Sequence, residues 1–295
     1  MAPILGPAPG PGLEGIGHAP ALKAGDGGRR KTGPCQTQVM DWSPGYREYA
    51  PPASLARAVS CLWVGVTPAA GAPPTRVLPD GCTDLIWRGG RGVSLAGPDT
   101  GPVLAPVRPG TVLAGVRFRP GAGGAALGLP LSVLLDQQLD TGALRTGLPG
   151  GRGGSLATQV HGDLAPAEAV RRLVRLTGEM VAGAPPDPLV TEAVEQLSKP
   201  GARVGLVARQ LGVSERQLHR RCVAAVGYSP VLLRRVLRFR RVVARIDAGG
   251  ALDDLAGLAA AAGYADQAHL TRESRDLAGL APVALARLRR SPAAG

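Results

Sequence analysis

Residues 206–221 read Leu206-Val207-Ala208-Arg209-Gln210-Leu211-Gly212-Val213-Ser214-Glu215-Arg216-Gln217-Leu218-His219-Arg220-Arg221, and the pattern is helix, tight turn, helix. Ala208 is small where two helices must approach closely. Gly212 stands where the turn wants a left-handed backbone, and the Ser214 hydroxyl can cap the second helix. Val207, Leu211, Val213 and Leu218 then close an apolar seam. The arrangement occurs twice. In the second copy Gly263 follows Ala259 by four residues as in the first, Asp266 takes the capping position and Leu270 packs back, with a turn one residue longer.

One such corner is a weak signal, because small helical domains of every function use it; two in order are far more specific. The stretch resembles the double helix-turn-helix DNA-binding domain of AraC-family transcription regulators. Three segments carry the likeness: Gly227-Tyr228-Ser229-Pro230, Gly263-Tyr264-Ala265-Asp266-Gln267-Ala268-His269-Leu270-Thr271-Arg272, and Gly279-Leu280-Ala281-Pro282. It covers about the last third of the chain. The sequence departs from the family at Cys222 and Ser274, where members place a core phenylalanine, which implies a smaller core.

The resemblance implies two recognition helices entering the major groove of double-stranded DNA. In the first, Arg216, His219 and Arg220 lie at helical spacing away from Leu218 and Cys222, with Gln217 beside them. In the second, Gln267, His269, Thr271 and Arg272 hold the matching positions while Leu270 turns inward. Arginine suits guanine O6/N7 and glutamine suits adenine N6/N7; spacing alone does not separate base from phosphate contacts. The two histidines read as hydrogen-bonding surface residues rather than pH switches.

Composition bounds the rest. The 295 residues leave room for two domains and a tail, and 44% hydrophobic content suffices for packed cores. No apolar run approaches a membrane span or a signal core, so the expected location is the cytoplasm with no membrane partner. Cys35, Cys61, Cys82 and Cys222 lie far apart and lack C-x-x-C spacing, which indicates neither a zinc site nor a disulfide framework and suggests reduced thiols; no cofactor is expected. The net charge is +12. Residues 203–290 hold sixteen arginines against seven acids, a surplus of nine that sits where the motif expects DNA. A solvated basic face is the plainer alternative.

The fold class expected is α+β: a mainly β N-terminal domain, a small sheet or barrel, followed by an all-α domain. Residues 1–41, dominated by Gly, Pro and Ala, read as a disordered tail. Residues 42–182 are expected to form the N-terminal domain with a trailing helix, and its regulatory or dimerisation-type role is what its family resemblance implies. Its candidate strands are 58–66, 76–78, 83–87, 93–96 and 112–118, each bounded by turn residues. Six of nine aromatics fall there (Trp42, Tyr46, Tyr49, Trp63, Trp87, Phe118) and are assigned to its core. This part resembles the uncharacterised domain preceding some AraC-type regulators, through Tyr46-Arg47-Glu48-Tyr49, Val77-Leu78-Pro79-Asp80-Gly81-Cys82-Thr83-Asp84-Leu85 and Val116-Arg117-Phe118-Arg119-Pro120-Gly121. The likeness implies a sensing or dimerising role, hence a small-molecule effector or a homodimer, with RNA polymerase a partner in keeping with transcription control. Residues 140–162 are a Gly-rich connection, and Asp163 is expected to cap a helix carrying Leu164, Val170, Leu173, Val174 and Val181, packed on the N-terminal domain or on a second subunit. Residues 187–290 are the DNA-binding domain. In it Asp187 and Pro188 open a helix, and a long helix from Pro230 acts as a spacer with Arg234, Arg235, Arg238, Arg241 and Arg245 outward.

Two other functional classes compete. An enzyme could use Gly121-Ala122-Gly123-Gly124-Ala125-Ala126, which fits a dinucleotide fingerprint, or Cys82 as a nucleophile. The fingerprint lacks its parallel βαβ unit, since residues 127–139 read helical, and Asp80 and Asp84 would suppress the thiolate. A protein-interaction module is the third. The expectation is a non-enzymatic, sequence-specific regulator.

Overall fold

A computed structural model describes residues 45–67, 75–105, 108–140, 158–160, 164–249 and 254–290. The Gly/Pro-rich tail, Trp42, Cys35, most of the 140–162 connection, Asp163 and Asp253 lie outside the described residues.

The N-terminal domain is an antiparallel sheet built from β1 (Gly45–Tyr49), β2 (Val59–Val66), β4 (Thr83–Arg88), β5 (Gly92–Ala96), β7 (Val112–Phe118) and β8 (Gln138–Leu139) in the order β1-β2-β7-β4-β5-β8. The short strands β3 (Thr75–Val77) and β6 (Val103–Ala105) pair separately as a ribbon. The sheet is open, not a barrel, with β1 and β8 at its edges. Alternation along β4 explains its two faces. Thr83, Leu85 and Trp87 turn inward to a core with Leu62, Val64, Leu95, Val116 and Phe118, and Asp84, Ile86 and Arg88 face the other way.

Helix α1 (Gly123–Leu127) is short, and residues 127–139 are not the helix their apolar run suggests: Gly128 adopts φ +74° and Pro130 precedes a single 3-10 turn at Leu131–Leu134. Helix α2 (Pro166–Gly183) has Ala165 at its N-cap rather than Asp163. It lays Ala169, Leu173, Leu176 and Met180 on the sheet of its own chain. Each fully buried leucine there contributes about 1.5–3 kcal/mol. Arg171, Arg172 and Arg175 stay outward on Glu168 and Glu179.

On the opposite face, three motifs distant in sequence meet. Asp84 pairs with Arg117 across β4 and β7. The Arg117 guanidinium also reaches Glu48 at 3.3 Å and Asp80 at 3.7 Å, while Trp63 Nε1 donates to Asp84 at 2.8 Å. Gly115 is required beneath that indole, since a Cβ would lie 2.3 Å from it. Tyr46 and Trp63 therefore form a second, smaller cluster apart from the main core.

The helical domain follows as α3 (Pro188–Leu197), α4 (Val204–Gln210), α5 (Glu215–Val226), α6 (Pro230–Asp247), α7 (Leu255–Ala262), α8 (Gln267–Ala278) and α9 (Pro282–Arg290). Asp187 caps α3 by accepting from Leu189 N at 2.9 Å, and Ser229 caps α6. The rod-like α6 buries Leu233, Val236, Leu237, Phe239, Val242 and Ile246, and also Arg238. The two domains are fused through apolar contact, because Leu78 and Leu135 of the first pack into the core of the second.

Candidate nucleic-acid interface

Each corner is set by the same few bonds. In the first, Gly212 takes φ +67° and Val213 N donates to the Ala208 carbonyl at 3.0 Å. A reciprocal capping box then starts α5: Gln217 N donates to Ser214 Oγ at 3.2 Å and Ser214 N donates to Gln217 Oε1 at 2.9 Å. In the second, Gly263 takes φ +84°, Tyr264 N donates to Ala259 O at 2.9 Å, and Asp266 accepts from His269 N at 2.6 Å. The alanines that accept are the small residues singled out from the sequence.

With Leu218 and Cys222 wholly buried, Arg216, Gln217, His219 and Arg220 all stand exposed on α5. On α8, Leu270 is buried, Gln267 and Arg272 are exposed, and His269 and Thr271 are half-buried. Gln267, Ala268, Thr271, Arg272 and Arg275 line one open depression. Both faces are therefore available to a large ligand. Gln217 is the exception in detail. Its amide oxygen is taken by the Ser214 backbone, so it keeps a donor but cannot make the two-point adenine contact without opening the cap. Arg221 is tied to Asp187 at 2.9 Å.

The second corner is bolted to α6 by a buried polar network. Arg238, 5% exposed, donates from Nε to Glu273 Oε1 at 3.1 Å and from Nη2 to Oε2 at 2.6 Å. Arg235 and Tyr264 donate to the same carboxylate at 3.0 and 2.8 Å, and the Arg238 guanidinium lies 4.2 Å over the Tyr264 ring. Burial works against ionisation of Glu273, but hydrogen bonds from Arg238, Tyr264 and Arg235 outweigh it and hold its pKa below the usual carboxylate value. Arg238 Nη2 also faces His269 Nε2 at 3.2 Å. A guanidinium only donates, so Nε2 is the acceptor and the neutral ring carries its proton on Nδ1. Among the described residues Nδ1 has no partner, and the side chain is 35% exposed.

Residues 207–287 match the protein family described as Helix-turn-helix domain, and residues 47–140 match a Domain of unknown function, DUF6597. The C-terminal region is an AraC-type helix-turn-helix domain. Its function is DNA binding in transcription regulation. No curated protein matches the chain. Among solved structures, apo ToxT from Vibrio cholerae is similar at 10% identity and a TM-score of 0.41, over 77% of this chain and 97% of that one. Two others are a second ToxT structure (8%, 0.39, 73% and 94%) and unsaturated fatty acid bound wild-type ToxT (11%, 0.37, 76% and 92%), both from Vibrio cholerae.

Several residues of the AraC-type domain escaped sequence reading. Arg238 belongs to the interior and not to the outward arginines, and Ala268 and Arg275 share the depression with the anticipated residues. A signal was present: Arg235, Arg238 and Arg241 recur every third residue on α6, and Glu273 is an isolated acid between Arg272 and Arg275. The family's two phenylalanine positions, Cys222 and Ser274, are both fully buried, and the Ser274 hydroxyl donates to the Leu280 carbonyl at 2.7 Å.

The two features that suggested an enzyme have other occupations. The Gly121 loop packs against the AraC-type domain: a Cβ at Gly121 would lie 3.0 Å from Val190, and one at Gly124 would lie 3.3 Å from the Ala224 carbonyl. Cys82 is buried, and burial first, then Asp80, pushes its thiol pKa well up, away from nucleophilic use. Among the described residues no group of three or more His, Cys, Asp or Glu could hold a metal ion, and no helix is long and apolar enough to cross a membrane.

Proposed function

We propose that this chain is a sequence-specific transcription regulator that inserts α5 and α8 into adjacent major-groove segments of one promoter. The observation that supports it is the pairing of equivalent exposed faces: Arg216, His219 and Arg220 on one helix, Gln267, His269, Thr271 and Arg272 on the other, each behind the same left-handed glycine and side-chain cap. Each capped N-terminus also offers free backbone N–H groups to phosphate. The reading depends on this surface alone; the small-molecule effector, the second copy and RNA polymerase remain expectations from the sequence.

Selection of bound fragments from random DNA with the full chain tests it. The expected result is a two-block motif with block centres about 10 bp apart and binding that weakens steeply with salt through counterion release. Enrichment of a single block, or of nothing, would overturn it.

A further inference from the structure

Besides packing on α3, the sheet domain meets the AraC-type domain at both corners and along the rod between them. At the first corner, α1 and the turn Leu131–Leu134 lie against the end of α5. There a Cβ on Gly227 would come within 2.7 Å of Pro98 and 3.1 Å of the Leu131 carbonyl, and the buried Tyr228 donates its hydroxyl proton to the Asp99 carbonyl. Along the rod, Arg240 Nη1 donates to the Asp80 carbonyl at 3.5 Å. At the second corner, Arg76 of β3 donates from Nη1 to the carbonyl of Ala278 at 3.0 Å. Ala278 ends α8, where carbonyls lack partners within the helix and a cation is favoured by the helix dipole. Holding Arg76 there leaves its buried Nε without a partner among the described residues, a cost that ordinary packing would avoid. None of these contacts involves the exposed residues of α5 or α8 described above.

We propose that the sheet domain is a brace, in which Tyr228 and Arg76 anchor the two reading corners to one rigid body and so fix the distance and phase between α5 and α8. The inference rests on the reading of those helices as a two-segment DNA surface, and it gives residues 47–140 a role in positioning. A corner fastened only to α6 can still rotate about that helix as the helix bends. Fastening both corners to a third body closes a triangle and removes that freedom. Arg76 and Tyr228 are positioning residues under this assignment and touch no DNA themselves.

Arg76→Ala and Tyr228→Phe in the full chain test it; the phenylalanine keeps the buried ring and removes only the hydroxyl. The first measurement uses no DNA. Cutting either anchor should speed amide hydrogen exchange about fivefold, the worth of one hydrogen bond, both at residues 224–228 and at residues 275–280. Acceleration confined to the corner that was cut means two local contacts and overturns the brace. Should Arg76→Ala fail to fold, Arg76→Met, which keeps the aliphatic stem and removes every donor, joins Tyr228→Phe. The second measurement uses the selected two-block site with one base pair inserted or deleted between blocks. The native chain should discriminate strongly against both changes, and the variants about fivefold less so, with little loss on the native spacing; undiminished discrimination in the variants also overturns the brace. A selection that yields no two-block site, alongside long-range exchange effects, would sink the DNA reading and leave the brace standing.

Discussion

Replacing His269 by asparagine or by glutamine separates the work of its two nitrogens. The amide nitrogen of asparagine falls where Nδ1 stands, whereas glutamine reaches the place where Nε2 meets Arg238 and accepts there through its amide oxygen. If Nδ1–H is the donor offered to DNA, His269→Asn should keep affinity for the selected site within about threefold. His269→Gln and His269→Ala should each lose about fivefold, one net hydrogen bond. Anisotropy titration decides, and equal losses for Asn and Gln would dismiss the assignment. Arg220→Ala and Arg272→Ala should each weaken specific binding by about 1–3 kcal/mol where they read a base, with relaxed preference at one position of the site. A uniform loss across all sequences would instead assign them to phosphates. The outward placement of these residues was legible because one buried leucine per helix, Leu218 or Leu270, fixes which neighbours face out. The engagement of His269 was not, because its partner lies thirty-one residues away on another helix.

At the scale of the element, α6 carries the network that seats α8, and Glu273 is its centre. Glu273→Gln keeps the shape but leaves Arg238 buried without its counter-charge. The expected destabilisation is about 3–5 kcal/mol, read by urea titration, and a loss below about 1 kcal/mol would mean that the network is not what holds the corner. The pH dependence follows from the same group. Its folded pKa is depressed, so its contribution is complete above the ordinary carboxylate range, about 4.3, and disappears as pH falls through the folded value. Acid should therefore loosen α8 in the native chain, and Glu273→Gln should lack that component. Other elements differ in how well the sequence announces them. The five strands bounded by Gly, Pro and charged turns appear close to their expected positions. By contrast, β6 and β8 are three and two residues long and carry no alternation to read, and β1 was visible only as a motif. The apolar run 127–139 imitates a helix because its breakers, Gly128 and Pro130, sit at its start.

In the whole molecule the junction between domains has its own titrating group. Burial first, then the neighbouring Asp136, Asp80 and Asp84, raises the Asp99 carboxyl to about 7. Between the ordinary carboxylate range and about 7, the unfolded chain has released a proton that the folded chain still holds, so stability falls as pH rises across that window. Asp99→Asn should flatten the dependence of Tm between about pH 5 and about pH 8, and an unchanged slope would count against Asp99 as its source. The junction itself could not be read from the sequence. Gly121-Ala122-Gly123-Gly124 looks like a phosphate loop because close backbone approach, whether to a pyrophosphate or to the end of α5, demands the same absence of side chains.

The unbroken α6, capped by Ser229 and running Pro230–Asp247, carries one more implication. On the proposed two-segment reading, a gauge of fixed length laid between groove segments one turn apart responds to torsion as well as to letters. Over- or underwinding rotates one groove away from its corner while leaving the bases untouched. Occupancy of a two-block site by this chain should then track superhelical density, coupling the genes beside it to the mechanical state of the chromosome.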